Sequence, residues 1–495
     1  YCQQVLRICD RNIFPEQWGK MKMNLGTFYK ERVCGDKIEN LELSIRSYND
    51  ASSIFTQEAW TRDWGMVQDG LGISYCHRIK GDAAENIEQA ISYFKAALQV
   101  RNYDTSPVEW VKTQAHLATA YWARVKGNKT ENLELAINCL QAALQVATFE
   151  SMPVEWAMVQ INMASIYSKR IKGNWQFNPE AAIRCFYSAS QVYTKEAFPQ
   201  NWATLQNNLG LLYGKLGSLE ENILCLQASL EICTYKDFPS DWASTQYNLG
   251  LAYCKVEEIE EAINCFLLSL KVFKPAVFPL DCFMSGEKLG NTAFTLGRWH
   301  EAIEAYNAGI EAVEPSRSWA PSENRRQEIL EEAIDVYQNI VQACINAGQI
   351  EKAFEYAERT RSKSLVDLMV SNDLYQVNEI PPQVEKLLQQ YDDLQRQIDQ
   401  ERFQNVSSKN REPENTSSTM TRTAFEAYNE TIATLEAQKQ LLWQQIRRLD
   451  PVLAGEIQVN PLKFGEIQKL MDHPTTAILS VYTTNTDNYM FILRQ

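Results

Sequence analysis

The chain has 495 residues, of which 45% are apolar and 22% are charged, and its formal net charge is −14. This is a globular composition and excludes a disordered chain. A surface this acidic repels phosphate backbones, so we expect no nucleic-acid partner. Apolar runs of about 18 residues are absent from the sequence, so no membrane-spanning helix is expected.

The 12 cysteines stand singly on helical patterns and form no C-x-x-C pair. Free cysteine is usually a small buried hydrophobe, and disulfides are rare in a reducing compartment. The sequence therefore predicts a cytoplasmic protein whose cysteines neither pair nor bind metal.

Tryptophan marks an internal repeat that begins near the N-terminus. The rings lie 46 residues apart at first and then 40 apart, at Trp18, Trp64, Trp110, Trp156, Trp202 and Trp242. Eight residues after each ring comes a small residue, at Gly26, Gly72, Ala118, Ala164, Gly210 and Gly250, and Gly290 continues the series. An aromatic ring follows three positions later, at Tyr29, Tyr75, Tyr121, Tyr167, Tyr213 and Tyr253. Small residues at a fixed helical position let a neighbouring helix approach, so this ladder is interpreted as packing.

Each unit continues through a break into a second amphipathic helix. In the long copies the break has basic residues before a glycine, as in "HRIKGDAAEN" and "ARVKGNKTEN", which favours a helix C-terminus. Proline before the next tryptophan suits the first position of the following helix. The pattern predicts pairs of packed helices.

The copy "NLGLAYCKVEEIEEAINCFLLSLKV" places Leu249, Gly250, Tyr253, Ala262 and Phe266 at the spacing of the tetratricopeptide repeat. The sequence resembles that family over residues 1–372. The resemblance implies an all-α, right-handed superhelix (an α-solenoid) of about eight helix pairs, the first of them partial. It also implies a concave face lined mainly by the first helix of each pair.

A polar residue lies two positions before the small residue in several copies, at Asn24, His116, Asn162, Asn208 and Asn248. One interpretation is that these are solvated or cap-stabilising side chains. The other is that they hold the backbone of a bound peptide, because solenoids bind partners on their concave surfaces.

Beyond the repeats, Pro381 and Pro382 break any helix. Helix-spaced apolar residues then predict two long helices within residues 373–450, folded as an antiparallel hairpin around a polar, mobile loop at 403–424. The hairpin is interpreted either as a plain connector or as a lever that transmits strain.

The last segment changes its period. The strand-forming residues of "AILSVY" and "YMFIL", with the turn residues of "TTNTDN" between them, predict a β-hairpin. Repeats, the segment "AERTRSKSLVDLM", a helical hairpin and these strands together resemble bacterial proteins that join tetratricopeptide repeats to a CHAT domain. CHAT domains are caspase-like α/β folds, and active members are cysteine peptidases with a His/Cys dyad. The resemblance implies that residues 451–495 open such a domain, truncated before its dyad.

No catalytic motif occurs in these residues. Cys344 is the last cysteine, and His473, the only histidine beyond the repeats, precedes a proline and matches no dyad motif. Walker A, G-x-S-x-G and G-x-G-x-x-G motifs are absent, as is metal-ligand spacing. We expect no enzymatic activity, no metal and no cofactor.

The leading functional hypothesis is a protein- or peptide-binding scaffold that serves as the sensor arm of a CHAT-type cysteine protease. The chain opens within a repeat and closes within a domain, so we expect the catalytic part elsewhere in the full protein. The alternative is a pure adaptor that assembles a complex without protease activity. A third hypothesis is self-association through uncapped repeat ends.

Overall fold

The computed structural model describes residues 10–32, 37–78, 80–170, 177–319, 323–371, 381–411, 420–450, 453–454, 463–471, 473, 476–484 and 487–494. The chain divides into two compact units, one with residues 1–232 and 407–419, the other with residues 233–406 and 420–495. The boundary between them falls inside the repeats. The domain boundaries at 372 and 450 remain predictions from the sequence.

The first unit is built from helix pairs. Its helices are α1 (Pro15–Glu31), α2 (Lys37–Ser52), α3 (Thr61–His77), α4 (Ala83–Val100), α5 (Pro107–Ala123), α6 (Lys129–Val146), α7 (Pro153–Tyr167), α8 (Phe177–Ser190), α9 (Pro199–Leu216) and α10 (Leu219–Leu230). The helices of each pair pack antiparallel, since Gly19 near the start of α1 faces Phe55 and Gly26, further along, faces Tyr48.

Close approach within a pair depends on the small residues. A Cβ at Gly72 would lie 2.5 Å from the ring of Phe94, well inside van der Waals contact. In the next two copies the position of Phe94 is occupied by Leu140 and Phe186, opposite alanines. The side chains of Phe94, Leu140 and Phe186 are all buried. At position 72 glycine is therefore needed for the ring of Phe94 to lie against the backbone of α3.

The ends of the helices follow from local chemistry. Proline is at the first position of α1, α5, α7 and α9, where its missing N–H costs no hydrogen bond. In the loops after α3 and α5, Gly81 and Gly127 have φ of 87° and 83°, in the left-handed region that favours glycine. Asp82 and Asn128 then cap α4 and α6 by accepting backbone N–H bonds.

The second unit continues the pairs and adds the C-terminal elements. They are α11 (Pro239–Lys255), α12 (Ile259–Val272), α13 (Pro279–Thr295), α14 (Trp299–Trp319), α15 (Glu323–Asn346), α16 (Ile350–Ser371), α17 (Pro382–Arg411), α18 (Arg422–Leu449), α19 (Phe464–Gln468), β1 (Ala477–Thr483) and β2 (Asn488–Arg494). One apolar core joins helices α11 to α16 with Phe425 of α18 and with Phe491 and Leu493 of β2.

Helices α17 and α18 pack antiparallel. Arg402 of α17 donates to Glu436 of α18 at 2.8 Å, and Lys439 donates to Gln395 at the same distance. The predicted loop at 403–424 is shorter in the structure, because the helical pattern of α17 runs on to Arg411 and Thr421 caps α18 by accepting from the Ala424 N–H. Residues 412–419 of that loop lie outside the described part of the chain.

Strands β1 and β2 form an antiparallel two-stranded sheet in which Leu479 faces Ile492 and Val481 faces Met490. The alternate residues Tyr482, Phe491 and Leu493 are buried in the core of the second unit. The predicted fold class is confirmed in its elements: tandem helix pairs, then a helical hairpin, then a β-hairpin. Among the described residues, no helix is long and apolar enough to span a membrane.

Candidate functional site

The predicted binding residues all lie on the first helix of a pair but differ in exposure. Asn24 on α1 is exposed; His116 on α5, Asn208 on α9 and Asn248 on α11 are half-buried. Asn162 on α7 is only 1% exposed. The five residues thus hold the same repeat position but differ in their exposure to solvent. Their role in binding remains a prediction.

His116 belongs to a polar cluster that the sequence did not predict. Its Nδ1 lies 3.0 Å from Oδ1 of Asp69 on α3, and Oδ2 of the same carboxylate lies 3.2 Å from Nη1 of Arg101, just after α4. Thr113 of α5 donates to Asp69 at 3.1 Å, and Arg101 donates to Thr113. Phe94 stacks on the His116 ring at 5.5 Å. The cluster joins two successive helix pairs through charge-assisted hydrogen bonds.

The electrostatics of this cluster centre on Asp69, which is 9% exposed. Burial acts to raise the pKa of its carboxyl, but His116, Arg101 and Thr113 outweigh burial and lower the pKa from 3.8 to about 2. Asp69 is therefore a paired anion at neutral pH, as a buried charge requires.

The next repeat has no such cluster. At 46 residues beyond Asp69, Arg101, Thr113 and His116 stand Ala115, Ala147, Val159 and Asn162, all of them buried. The Asn162 amide has neither its nitrogen nor its oxygen hydrogen-bonded within the described part of the chain. Aligning the copies at 46 residues was the available signal, because among the copies with that spacing only one carries charges at these positions.

A ladder of ion pairs was also missed by the sequence analysis. Arg78 donates from Nε and Nη2 to the two carboxylate oxygens of Glu42, at 2.7 and 3.0 Å. The pair recurs at Arg124–Glu88, with 2.7 and 3.0 Å, and at Arg170–Glu134, with 2.8 and 2.9 Å. Each arginine follows the first helix of one pair and reaches the second helix of the preceding pair.

Asparagine side chains order the loops that contain Arg78 and Arg124. Asn86 donates to the carbonyls of Arg78 and Lys80, and Asn132 makes the equivalent bonds one repeat later. Hydrogen bonding to Arg78 lowers the pKa of Glu42. A bidentate guanidinium–carboxylate pair has one preferred geometry, so the ladder fixes how consecutive pairs stack in the first unit.

The signature tryptophans are half-buried, and most are covered by a side chain seven residues earlier. We call these covering residues the loop row; it consists of Arg11, Tyr103, Phe149, Lys195 and Tyr235. The aromatic members stand edge-on to their tryptophans, with centroids 5.9 Å apart for Tyr103–Trp110 and 5.5 Å for Phe149–Trp156. Gln57 holds this position in the second copy.

Cys344 is the last cysteine of the chain, and its side chain is buried. Burial raises the pKa of Cys344 to about 12, so its thiol stays protonated at neutral pH, and a protonated thiol is a poor nucleophile. Within the described ranges, no group of His, Cys, Asp and Glu side chains is placed to hold a metal ion.

No protein-family model matches the chain, and no curated protein sequence matches it. Solved structures with similar helix arrangements include MamA (18% identity, 46% of this chain, 99% of that chain, TM-score 0.31). Others are PilF of Pseudomonas aeruginosa (14%, 55%, 95%, 0.35) and YrrB, described as a TPR protein with an unusual peptide-binding site (14%, 46%, 92%, 0.30).

Proposed function

We propose that this chain is a protein- or peptide-binding repeat scaffold and that it acts as the sensor arm of a CHAT-type cysteine protease. Binding falls to the first helices of the pairs, where Asn24, Asn208 and Asn248 present amides with some access to solvent. An amide both donates and accepts hydrogen bonds, so it can pair with a peptide backbone regardless of peptide sequence.

The observation that carries the regulatory half of the proposal is the joint between α16 and the β-hairpin. Arg361 of α16 donates to Ser480 Oγ of β1 at 2.8 Å, and Ser480 donates to Glu358 at 2.8 Å. Arg361 also donates to the carbonyl of Val481. These bonds tie a helix of the array to the middle of a strand, so a displacement of α16 carries β1 with it.

A second joint lies beside the first. Phe354 of α16 packs edge-on against Phe491 of β2 at 5.6 Å, and Glu355 accepts the N–H of Phe464 at the start of α19 at 2.7 Å. Polar and apolar contacts thus couple the same helix to both the strands and α19. A rigid coupling of this kind is what a relay requires.

The outer face of the sheet supports the presence of a further protein layer in the functional molecule. Leu479, Val481, Met490 and Ile492 are 61%, 51%, 63% and 59% exposed and adjoin one another across the two strands. A two-stranded sheet is marginal by itself, and contiguous apolar surface marks an interaction site. In the proposal this face packs inside the caspase-like domain.

The test uses the natural gene product that contains these residues. Its sequence is searched for a downstream His/Cys pair, and cleavage of a peptide library is assayed with and without a binding partner isolated from lysate. Partner-stimulated cleavage that disappears when the downstream cysteine is replaced is the expected result. Stoichiometric partner binding without any cleavage would identify an adaptor instead.

The relay has its own variant. Arg361→Ala removes the strand contact and is expected to leave partner affinity unchanged while abolishing the stimulation of cleavage. Arg396→Ala is the matched control, because the contacts of Arg396 among the described residues are with Asp392 and Asp393 on its own helix, at an exposed position. Equal stimulation in both variants would contradict the relay.

A further inference from the structure

A contact within the second unit shows how a helix packs on one member of the loop row, Tyr235. Helix α18 begins against the loop that precedes α11: the Arg422 N–H donates to the carbonyl of Asp237 at 2.8 Å. The Arg422 guanidinium lies over the ring of Tyr235, 5.3 Å from its centroid, and donates to the Tyr235 carbonyl. The first turn of a helix is thus anchored by one arginine on one aromatic member of the loop row.

The first unit presents two rings at the same repeat position. Tyr103 is 56% exposed and Phe149 is 43% exposed, and both precede their tryptophan by seven residues, as Tyr235 does. Each stands edge-on to that tryptophan, as Tyr235 stands to Trp242 at 5.2 Å. The ring faces are therefore held ready before any partner arrives, which lowers the entropic cost of binding.

The charges beside the two rings favour a cation. Asp104 follows Tyr103 and Glu150 follows Phe149, and both acidic side chains are exposed. A guanidinium stacks on an aromatic face and pairs with a carboxylate at the same time, which an ammonium does less well.

We propose that Tyr103–Asp104 and Phe149–Glu150 form a docking edge for a partner protein, and that the partner presents an arginine in the first turn of a helix. The docked α18 is the template for this contact: the guanidinium covers the ring, and the first-turn N–H faces the loop segment at Thr105 or Ser151, which hold the place of Asp237. This edge lies on the loops between helix pairs, and the inference does not depend on the protease proposal.

The probe is a fluorescein-labelled peptide with the sequence of residues 420–440, which carries Arg422 in its first turn. Its binding to the full 495-residue chain is followed by fluorescence polarisation. The double variant Tyr103→Ala/Phe149→Ala is expected to weaken binding about tenfold, the size of a partly desolvated cation–π contact. A peptide carrying Arg422→Gln is expected to lose a similar factor against the unaltered chain.

Two further variants separate docking from folding. Gln57→Ala changes the same repeat position in a copy that lacks a ring, and its affinity should equal that of the unaltered chain. Asp104→Lys/Glu150→Lys keeps both rings and should weaken binding, and circular dichroism verifies that every variant is folded. Peptide binding that survives loss of both rings, equal binding of the Arg422→Gln peptide, or no binding at millimolar peptide would each overturn the proposal.

Discussion

Asp69 is a buried carboxylate that is stabilised by polar side chains around it. The carboxylate contacts Arg101 from the loop after α4 and Thr113 and His116 from α5 of the next pair, and these residues lie 32 to 47 positions away in sequence. Sequence reasoning singled out His116 because of its repeat position. It did not find the cluster, because only folding brings residues so far apart in the chain into contact.

The neighbouring repeat offers a direct test of the cost of this cluster. Asp69→Ala leaves Arg101 buried without its carboxylate and should lower the free energy of unfolding by about 3–5 kcal/mol. The fourfold variant Asp69→Ala/Arg101→Ala/Thr113→Val/His116→Asn copies the residues found 46 positions later and should recover most of that loss. Urea unfolding of the two variants makes the comparison.

Glu58→Ala, at an exposed turn position, is the control and should change the stability by less than about 0.5 kcal/mol. If the fourfold variant were as unstable as Asp69→Ala, the residues copied from the next repeat would not be an adequate replacement for the charged cluster between these two helix pairs.

The lowered pKa of Asp69 also predicts a pH dependence. Because the folded-state pKa is about 2 and the ordinary value is 3.8, its stabilising contribution is complete above about pH 4 and is lost as the pH falls towards 2. The contribution is roughly 2.5 kcal/mol. The difference in unfolding free energy between the unaltered chain and Asp69→Asn should therefore shrink between pH 4 and pH 2, and a constant difference would contradict the pairing.

At the scale of elements, the helix pairs follow closely from their local signals. Proline at the helix starts, Asp82 and Asn128 as caps, and left-handed Gly81 and Gly127 agree with the residues that the sequence placed at the breaks. The extent of α17 was less predictable. Its polar end carries no apolar stripe, and backbone hydrogen bonding continued the helix to Arg411 through a segment that reads as a loop.

The arginine ladder yields a prediction at this scale. Arg124→Ala removes the bidentate pair with Glu88 and should lower the stability by about 1 kcal/mol, since both side chains are only partly screened by solvent. Chemical unfolding at low and high salt measures the loss, which should be smaller at high salt.

Glu180 is the matched control for the ladder. It holds the same repeat position as Glu42, Glu88 and Glu134, but Leu216 stands 36 residues later where the ladder would need an arginine. Glu180→Ala should therefore be nearly neutral. A loss equal to that of Arg124→Ala would mean that the ladder contributes nothing specific.

At the scale of the whole molecule, the β-hairpin depends on the helices that it packs against. Its inner face enters the core of the second unit, and its outer face is apolar but exposed. Two adjacent residues of β2, Met490 and Phe491, lie on opposite faces of the sheet. Phe491→Ala should destabilise the hairpin by about 3 kcal/mol through the cavity it leaves against Phe354.

Met490→Ala, one residue away on the outer face, should stay within about 0.5 kcal/mol of the unaltered chain because Met490 is largely exposed. Hydrogen exchange of the amides in residues 477–494 measures the opening free energy in both variants. Equal protection in the two would mean that the inner face does not hold the hairpin in place.

The sequence alone determined the repeated helix pairs, the helical hairpin and the two strands. These depend on spacings of a few residues and on a period of 40 or 46, and they can be read along the chain. Tertiary structure alone decided that His116 is paired with Asp69, that Arg124 reaches back to Glu88, and that α18 starts on Tyr235. Each of these contacts joins side chains far apart in sequence, and their geometry exists only after the packed helices have set the distances.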